Sequence, residues 1–204
     1  MNQIQEPLGA LTLDKLEAQV KQCKKCGLQA TRISVVFGEG NATANVMLVG
    51  EGPGEVEDKT GKPFVGPAGQ KLDEVLASVG ITRDEIYVTN VVKCRPPGNR
   101  APSKEETAKC TPYLEAQIAL INPGLIITLG NIPTQWFLPN TPGITKVHGT
   151  CLSWRGGIKI FPMFHPSYLL RNPSRAKGSP KYLTWLDIQK VKEWINEHAG
   201  TRNV

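Results

Sequence analysis

The feature that most constrains the fold is a set of four short, almost uninterrupted runs of apolar and β-branched residues. They occupy residues 46–50, 86–92, 125–130 and 158–164. Runs of this length without polar alternation are typical of strands that are buried on both faces of a parallel sheet. The sequence therefore predicts a central sheet of four parallel strands that is covered on both sides.

Helical patterns separate these runs. Apolar residues recur at helical spacing in residues 11–22, 68–79, 103–121 and about 180–198, and the third segment opens with a capping box at Ser103. Strands that alternate with helices form βαβ units, so the predicted fold class is α/β, a three-layer αβα sandwich with a central four-stranded parallel sheet. We expect residues 1–204 to form a single domain, because this length is marginal for two.

Composition excludes several classes of protein. No run approaches the roughly 18–20 apolar residues of a membrane span, and the N-terminus lacks the pattern of a secretory signal. We therefore expect a cytoplasmic protein with no membrane partner. The net charge of +6 permits binding to a polyanion such as nucleic acid, although it does not require it.

A loop rich in glycine and proline follows the first run, at residues 50–69. It contains Gly50-Glu51-Gly52-Pro53-Gly54 and Gly61-Lys62-Pro63-Phe64-Val65-Gly66. Parallel α/β sheets bind ligands outside the carboxyl ends of their strands, which is where this loop begins. The loop matches neither the Walker nor the Rossmann pattern, so a nucleotide cofactor is not expected. The alternative interpretation is a solvated surface connection.

Two further polar residues stand at the ends of predicted strands. Asn90 lies near the end of the second run, where its amide can offer both an acceptor and a donor to one ligand edge. His165 follows the fourth run, at the same edge of the sheet. Each has a simpler interpretation, since an asparagine can cap local backbone and a lone histidine is more often structural.

Cysteine usage gives the strongest chemical indication. Cys23, Cys26, Cys94 and Cys110 supply four thiolates that could hold either zinc or an iron–sulfur cluster. The wide spacing of the last two favours a larger cluster over a single ion. The fifth, Cys151, is expected to be a core residue. An odd number of cysteines without a secretory signal argues for a reducing compartment.

Taken together, these motifs resemble the family 4 uracil-DNA glycosylases, the iron–sulfur class of bacteria and archaea. The resemblance covers roughly residues 13–197. It is carried by the two glycine-rich motifs, by Thr89-Asn90-Val91-Val92-Lys93-Cys94-Arg95-Pro96-Pro97, by the four spaced cysteines and by His165-Pro166-Ser167. It implies a 4Fe-4S cluster on Cys23, Cys26, Cys94 and Cys110, and uracil-containing DNA as the substrate of a monomeric enzyme.

The resemblance also implies roles at the site. Phe64 would stack on a uracil flipped out of the DNA, and Asn90 would accept from N3–H and donate to O4. Backbone amides of Glu51, Gly52 and Gly54 would hold uracil O2 and position a water. His165 would stabilise negative charge on the departing uracil as the glycosidic bond breaks.

Other roles remain open at this point. Gly52 stands where family 1 uracil glycosylases carry a water-activating Asp, so Glu51 or Glu57 could replace it, or neither. The cations expected at DNA phosphates are Arg100, Lys146, Arg171 and Arg175. Residues 143–149 could fill the gap that the flipped base leaves.

Two alternative functions belong to different classes. The same fold could be a non-catalytic DNA-binding module with a structural metal centre. A thiol oxidoreductase built on Cys23 and Cys26 is the weaker alternative, because this pair does not open a helix after a strand.

Overall fold

The computed structural model describes residues 11–199, which fold around one mixed sheet. Its strands are β1 (Glu39–Gly40), β2 (Val46–Gly50), β3 (Ile86–Asn90), β4 (Leu125–Leu129), β5 (Leu152–Ser153) and β6 (Lys159–Met163). Across the sheet their order is β1-β3-β2-β4-β6-β5. The predicted parallel centre is present, because the four middle strands all pair in parallel.

The predicted strand number requires correction, since the sheet has six strands rather than four. The two additional strands, β1 and β5, lie at the edges and pair antiparallel with β3 and β6. Each is only two residues long, and both residues of β1 are exposed. Strands this short contain neither an apolar run nor an alternating pattern, so the sequence carries no signal for them.

Eight α-helices surround the sheet in the described part of the chain. They are α1 (Leu13–Lys21), α2 (Glu55–Thr60), α3 (Pro67–Ala77), α4 (Lys104–Ile121), α5 (Asn131–Phe137), α6 (Ile144–Val147), α7 (Pro166–Arg171) and α8 (Pro180–Glu197). The four longest match the predicted helices to within two residues at each end. The other four are too short to show a helical period in the sequence.

Alternate residues of the buried strands face two separate cores. On β2, Met47 and Val49 pack with Leu114 and Ile118 of α4. Val46 and Leu48 face the opposite side, in a core to which α3 and α8 contribute. Helices therefore cover both faces of the sheet, and the three-layer arrangement predicted from the sequence is confirmed.

Two structural features position the functional residues. Gly50 lies opposite Asn90 in the β2–β3 register, so the loops after these two strands begin side by side. A third, smaller core packs Leu16 and Val20 of α1 against Tyr113 of α4, which brings the N-terminal cysteines towards Cys110.

Within residues 11–199 no helix has both the length and the apolarity needed to cross a membrane.

Candidate active site

A cleft of about 660 Å³ opens at the carboxyl edge of the sheet. The loops that follow β2, β3, β4 and β6 all contribute to its walls. The structure brings together here most of the residues predicted from the sequence: Glu51, Gly52, Gly54, Glu57, Phe64, Asn90, Arg100, His165 and Arg171. Asn131 and Ser167, which were not predicted as site residues, also line the cleft.

Asn90 forms a buried wall of the cleft at the end of β3. Its side chain is only 2% exposed. Among the described residues, Asn90 Oδ1 is the one buried side-chain oxygen or nitrogen without a hydrogen-bond partner. A buried acceptor left unpaired costs about 1–3 kcal/mol. The cleft therefore presents an acceptor that a ligand N–H can satisfy.

The backbone of Asn90 is held by a lysine that the sequence interpretation missed. Lys93 is fully buried, and its Nζ donates to the Asn90 carbonyl at 2.7 Å, to Thr89 Oγ1 at 2.6 Å and to Gln117 Oε1 at 2.6 Å. Burial lowers the pKa of Lys93 to about 7. A lysine directly after two buried valines was the available signal, since such a side chain needs internal partners.

Phe64 is placed over the same wall by an unusual backbone conformation. Its φ of 52° lies in the left-handed region, which costs a residue other than glycine about 1–3 kcal/mol. Arg83 Nη2 donates to the Phe64 carbonyl at 2.9 Å, and a side chain at Gly69 would collide with that same oxygen. At Gly50, a Cβ would lie 2.5 Å from Phe64 Cζ. Position 50 therefore accommodates only glycine, because any side chain there would collide with the Phe64 ring.

Glu57 joins the two glycine-rich motifs. One carboxylate oxygen accepts from Gly54 N at 3.1 Å, and the other accepts from Val65 N at 3.0 Å and Gly66 N at 2.7 Å. The side chain is buried, so these three backbone donors satisfy it in place of water. Glu57 acts here as a structural link of the loop, which differs from the water-activating role considered for it above.

Glu51 has a different environment. It lines the cleft directly after β2 and is partly exposed. Burial raises the pKa of its carboxyl above the ordinary value. Of the two carboxylates considered for water activation, Glu51 is the one for which the structure gives no set of backbone donors.

His165 lines the cleft at the N-terminus of α7, and its ring lies 6.0 Å from the Phe64 ring between centroids. Its Nδ1 accepts from Ser167 N at 3.1 Å and lies 2.8 Å from Ser167 Oγ. Because Nδ1 is an acceptor, the proton of the neutral ring is on Nε2. Burial, with a further contribution from the charge of Arg171, lowers the pKa of His165 to about 4. The ring is therefore a neutral donor at physiological pH.

The predicted phosphate-binding cations do not all lie at the cleft. Arg100 and Arg171 line it, and Arg100 pairs with both oxygens of Glu106 at 2.7 and 2.8 Å. That pairing lowers the pKa of Glu106 to about 2. Lys146 lies on α6 and does not line the cleft, and Arg175 lines a neighbouring groove instead.

The segment considered as a wedge lies next to the cleft, because Ile144 N donates to Oδ1 of the cleft residue Asn131 at 3.2 Å. Residues 143–149 include α6, and none of them lines the cleft. His148 Nδ1 lies 2.8 Å from Asp187 Oδ2 of α8, and Lys190 Nζ donates to the Gly149 carbonyl at 3.0 Å. These contacts hold the segment against α8.

Behind Asn90, the four predicted cluster ligands line a single small cavity: Cys23, Cys26, Cys94 and Cys110. Burial raises the pKa of the Cys110 thiol to about 11 and also raises that of Cys94. Arg32 Nη1 donates to Cys94 Sγ at 3.1 Å, and Lys93 N donates to Cys110 Sγ at 3.3 Å. Donors of this kind are typical around the sulfur ligands of iron–sulfur clusters.

The donor set of this cavity consists of sulfur, which fits soft metal centres such as iron–sulfur clusters or zinc. Within residues 11–199, no group of three or more His, Cys, Asp or Glu side chains is arranged so that it could hold a metal ion. Cys151 was expected in the core, and that expectation is wrong, since it is exposed just before the edge strand β5. A cysteine outside the cavity is not needed to complete the four-sulfur set.

The chain is similar to known proteins over most of its length. A family model described as the Uracil DNA glycosylase superfamily matches residues 37–189. A type-4 uracil-DNA glycosylase of Thermotoga maritima is 47% identical over 92% of this chain and 96% of its own length. Type-4 enzymes of Sulfurisphaera tokodaii and Archaeoglobus fulgidus are 42% and 40% identical, over 89% and 93% of this chain and 84% and 96% of their own lengths.

The fold and the cleft thus define a member of the uracil-DNA glycosylase superfamily. The relatives that match nearly the whole chain identify the family within this superfamily. The chain belongs to the type-4 uracil-DNA glycosylases.

Proposed function

We infer that the protein removes uracil from DNA by hydrolysing the N-glycosidic bond, which leaves an abasic site. The observation that carries this function is the buried, unpaired Oδ1 of Asn90, which faces a cleft shared with Phe64 and His165. The type-4 relatives support the same reaction. A base inside the duplex cannot reach such a pocket, so the nucleotide must be flipped out.

Asn90 provides the selectivity for uracil. Its Oδ1 accepts from N3–H, and its amide nitrogen donates to O4. Cytosine presents an acceptor at N3 and a donor at the 4-position, so both hydrogen bonds would meet the wrong partner. Unpaired buried polar groups make this rejection worth several kcal/mol, on the order of 10² to 10⁵ in rate. Phe64 provides a flat surface on which the flipped base stacks.

His165 stabilises the leaving group. As the glycosidic bond breaks, negative charge accumulates on the uracil ring, and Nε2–H donates to the uracil oxygen that carries it. A neutral imidazole that is already oriented by Ser167 requires no proton uptake for this step. The backbone amides of Glu51 and Gly52 also belong to cleft residues, where they can hold uracil O2 and a water near C1′. The Gly54 amide, which the sequence analysis grouped with them, instead donates to the carboxylate of Glu57.

We assign the orientation of that water to Glu51, and the assignment predicts a pH dependence. The raised pKa of Glu51 means that its carboxylate form is lost as the pH falls through a value above the ordinary one. The excision rate of the wild type should fall along this limb. Glu51→Gln should lower the rate about tenfold and flatten the limb, because the variant has no carboxyl to titrate.

The measurement is a single-turnover pH–rate profile of both proteins. Glu115→Gln is the matched control, because Glu115 is a partly exposed residue of α4 that pairs with Arg155 and does not line the cleft. A Glu51→Gln profile that keeps the wild-type limb would move water activation to another group. His165, with a pKa near 4, should not contribute above that pH.

We further propose that Cys23, Cys26, Cys94 and Cys110 hold a 4Fe-4S cluster. When bound, the cluster clamps the N-terminal segment to the loop after β3 and to α4. Anaerobically purified protein should be brown and should contain about four iron atoms and no stoichiometric zinc. Cys94→Ser should lose the colour and the iron, whereas Cys151→Ser should keep both, because Cys151 lies outside the cavity. Colourless protein that contains one zinc ion per chain would contradict the 4Fe-4S cluster, but it would leave the four cysteines as a metal site.

A uracil-release assay with a labelled oligonucleotide tests the function itself. We expect release from uracil-containing DNA and none from the same sequence with cytosine. Tight DNA binding without release at any temperature would favour the non-catalytic DNA-binding module. The proposal also includes a monomer that works in the reducing cytoplasm, where the cysteines stay free to bind iron.

A further inference from the structure

A second groove lies beside the active-site cleft. It has a volume of about 370 Å³ and is formed by α3, the loop after α7 and the first turns of α8. Its floor is apolar, with contributions from Val75, Leu169 and Ile188. Neither the excision chemistry nor the cysteine site uses any of these residues.

The walls of the groove combine an exposed aromatic surface with positive charge. The Trp185 side chain is 50% exposed, and the Tyr182 ring lies 6.1 Å from it between centroids. Lys71, Arg175 and Lys181 stand around the pair, against the single carboxylate of Glu74. Glu74 pairs with Lys71, and the charges of Lys181 and Arg175 also lower its pKa, so the cations converge on one place.

This combination suits a nucleotide. An exposed indole gives a base a surface for stacking, and surrounding cations attract its phosphates. The three cations and the one carboxylate leave a net charge of +2 at the groove. This charge agrees with a ligand that carries one negative phosphate charge per nucleotide.

The groove is also continuous with the cleft. Helix α3 begins in the cleft wall at Pro67 and Ala68 and continues into the groove with Lys71 and Val75. On the other side, Arg171 lines the cleft and Arg175 lines the groove. The helical rise from Ala68 to Val75 is about 10 Å, which equals about three nucleotides of one DNA strand.

We propose that this groove binds the uracil-carrying strand about three nucleotides from the flipped uracil, with one base stacked on Trp185 and phosphates at Arg175 and Lys181. The proposal rests on the proposed function, since it assumes that uracil-DNA occupies the cleft. Continuity with the cleft is what favours DNA over an acidic protein segment as the occupant.

The test measures affinity against strand length. Single-stranded oligonucleotides carry one 2′-fluoro-2′-deoxyuridine, which resists hydrolysis, and are extended one nucleotide at a time on the 5′ or the 3′ side. The Kd of the wild type should decrease in a step when one of the two flanks reaches about three nucleotides. Trp185→Ala should remove the step and raise the Kd of long oligonucleotides about tenfold, while the shortest bind as before.

Two variants serve as controls. Trp185→Phe should keep most of the step, because phenylalanine retains a ring for stacking. Leu186→Ala changes the neighbouring exposed residue of α8, which does not line the groove, and should behave as the wild type in binding and in uracil release.

Identical length profiles for the wild type and Trp185→Ala would overturn the groove proposal. So would an acidic peptide that binds in a Trp185-dependent way while the DNA profile stays unchanged. Failure of the proposed function would give a different result. In that case the wild type and Leu186→Ala would release no uracil from any oligonucleotide.

Discussion

Replacement of Asn90 by Asp should lower the single-turnover rate of uracil excision by about 10²-fold or more. The substitution exchanges the amide donor to O4 for an acceptor or an ionised carboxylate at a buried position. A polar mismatch of this kind costs about 3 kcal/mol, which corresponds to about two orders of magnitude in rate. The measurement is a single-turnover time course at saturating enzyme with a uracil-containing oligonucleotide.

Asn140→Asp makes the same chemical change at an exposed position outside the cleft and should excise uracil at the wild-type rate. Retention of the brown colour by both variants would show that the cysteine site is intact. Unchanged excision by Asn90→Asp would make Asn90 a structural residue, and the pocket assignment would be wrong.

Replacement of His165 by Ala should lower the single-turnover rate by about 10²–10³-fold, which is the cost of losing one donor to a developing negative charge. The hydrogen bond from Nε2 strengthens only as charge builds on the uracil, so it acts on the transition state. Affinity for uncleaved uracil-DNA should change little, because phosphate contacts and stacking supply most of the binding.

Paired time courses and binding isotherms separate the two effects. His198→Ala is the matched control, since His198 lies at the end of α8 and stacks on Trp194 rather than lining the cleft. A His165→Ala protein that excises at the wild-type rate but binds DNA much more weakly would assign His165 to docking instead of catalysis.

The central fold could be predicted because its signals are local and repeated. Each buried parallel strand is an apolar run, and each long helix shows apolar residues at helical spacing, with a capping box at Ser103 for α4. The edge strands and short helices lacked enough residues to establish any period. Their existence depends on the pairing partners that the rest of the fold supplies.

The candidate site was predicted less completely, because several of its hydrogen bonds join side chains to backbone atoms of other segments. Motif positions such as Asn90, Phe64 and His165 lie together in the cleft as expected. The sequence does not show, however, that the carboxylate of Glu57 is engaged by three backbone amides, or that Arg83 holds the carbonyl of Phe64. Hydrogen bonds of this kind produce no periodic pattern in the sequence.

Lys93 joins the recognition site and the cysteine site within one residue. Its main-chain N–H donates to Cys110, while its ammonium holds the carbonyl of Asn90. A local fluctuation that released this residue would disturb a cysteine ligand and the uracil-reading wall together. We therefore expect a substitution of Lys93 to affect both sites. The position of Asn90 thus depends on a residue that also contacts a cysteine of the cavity behind it.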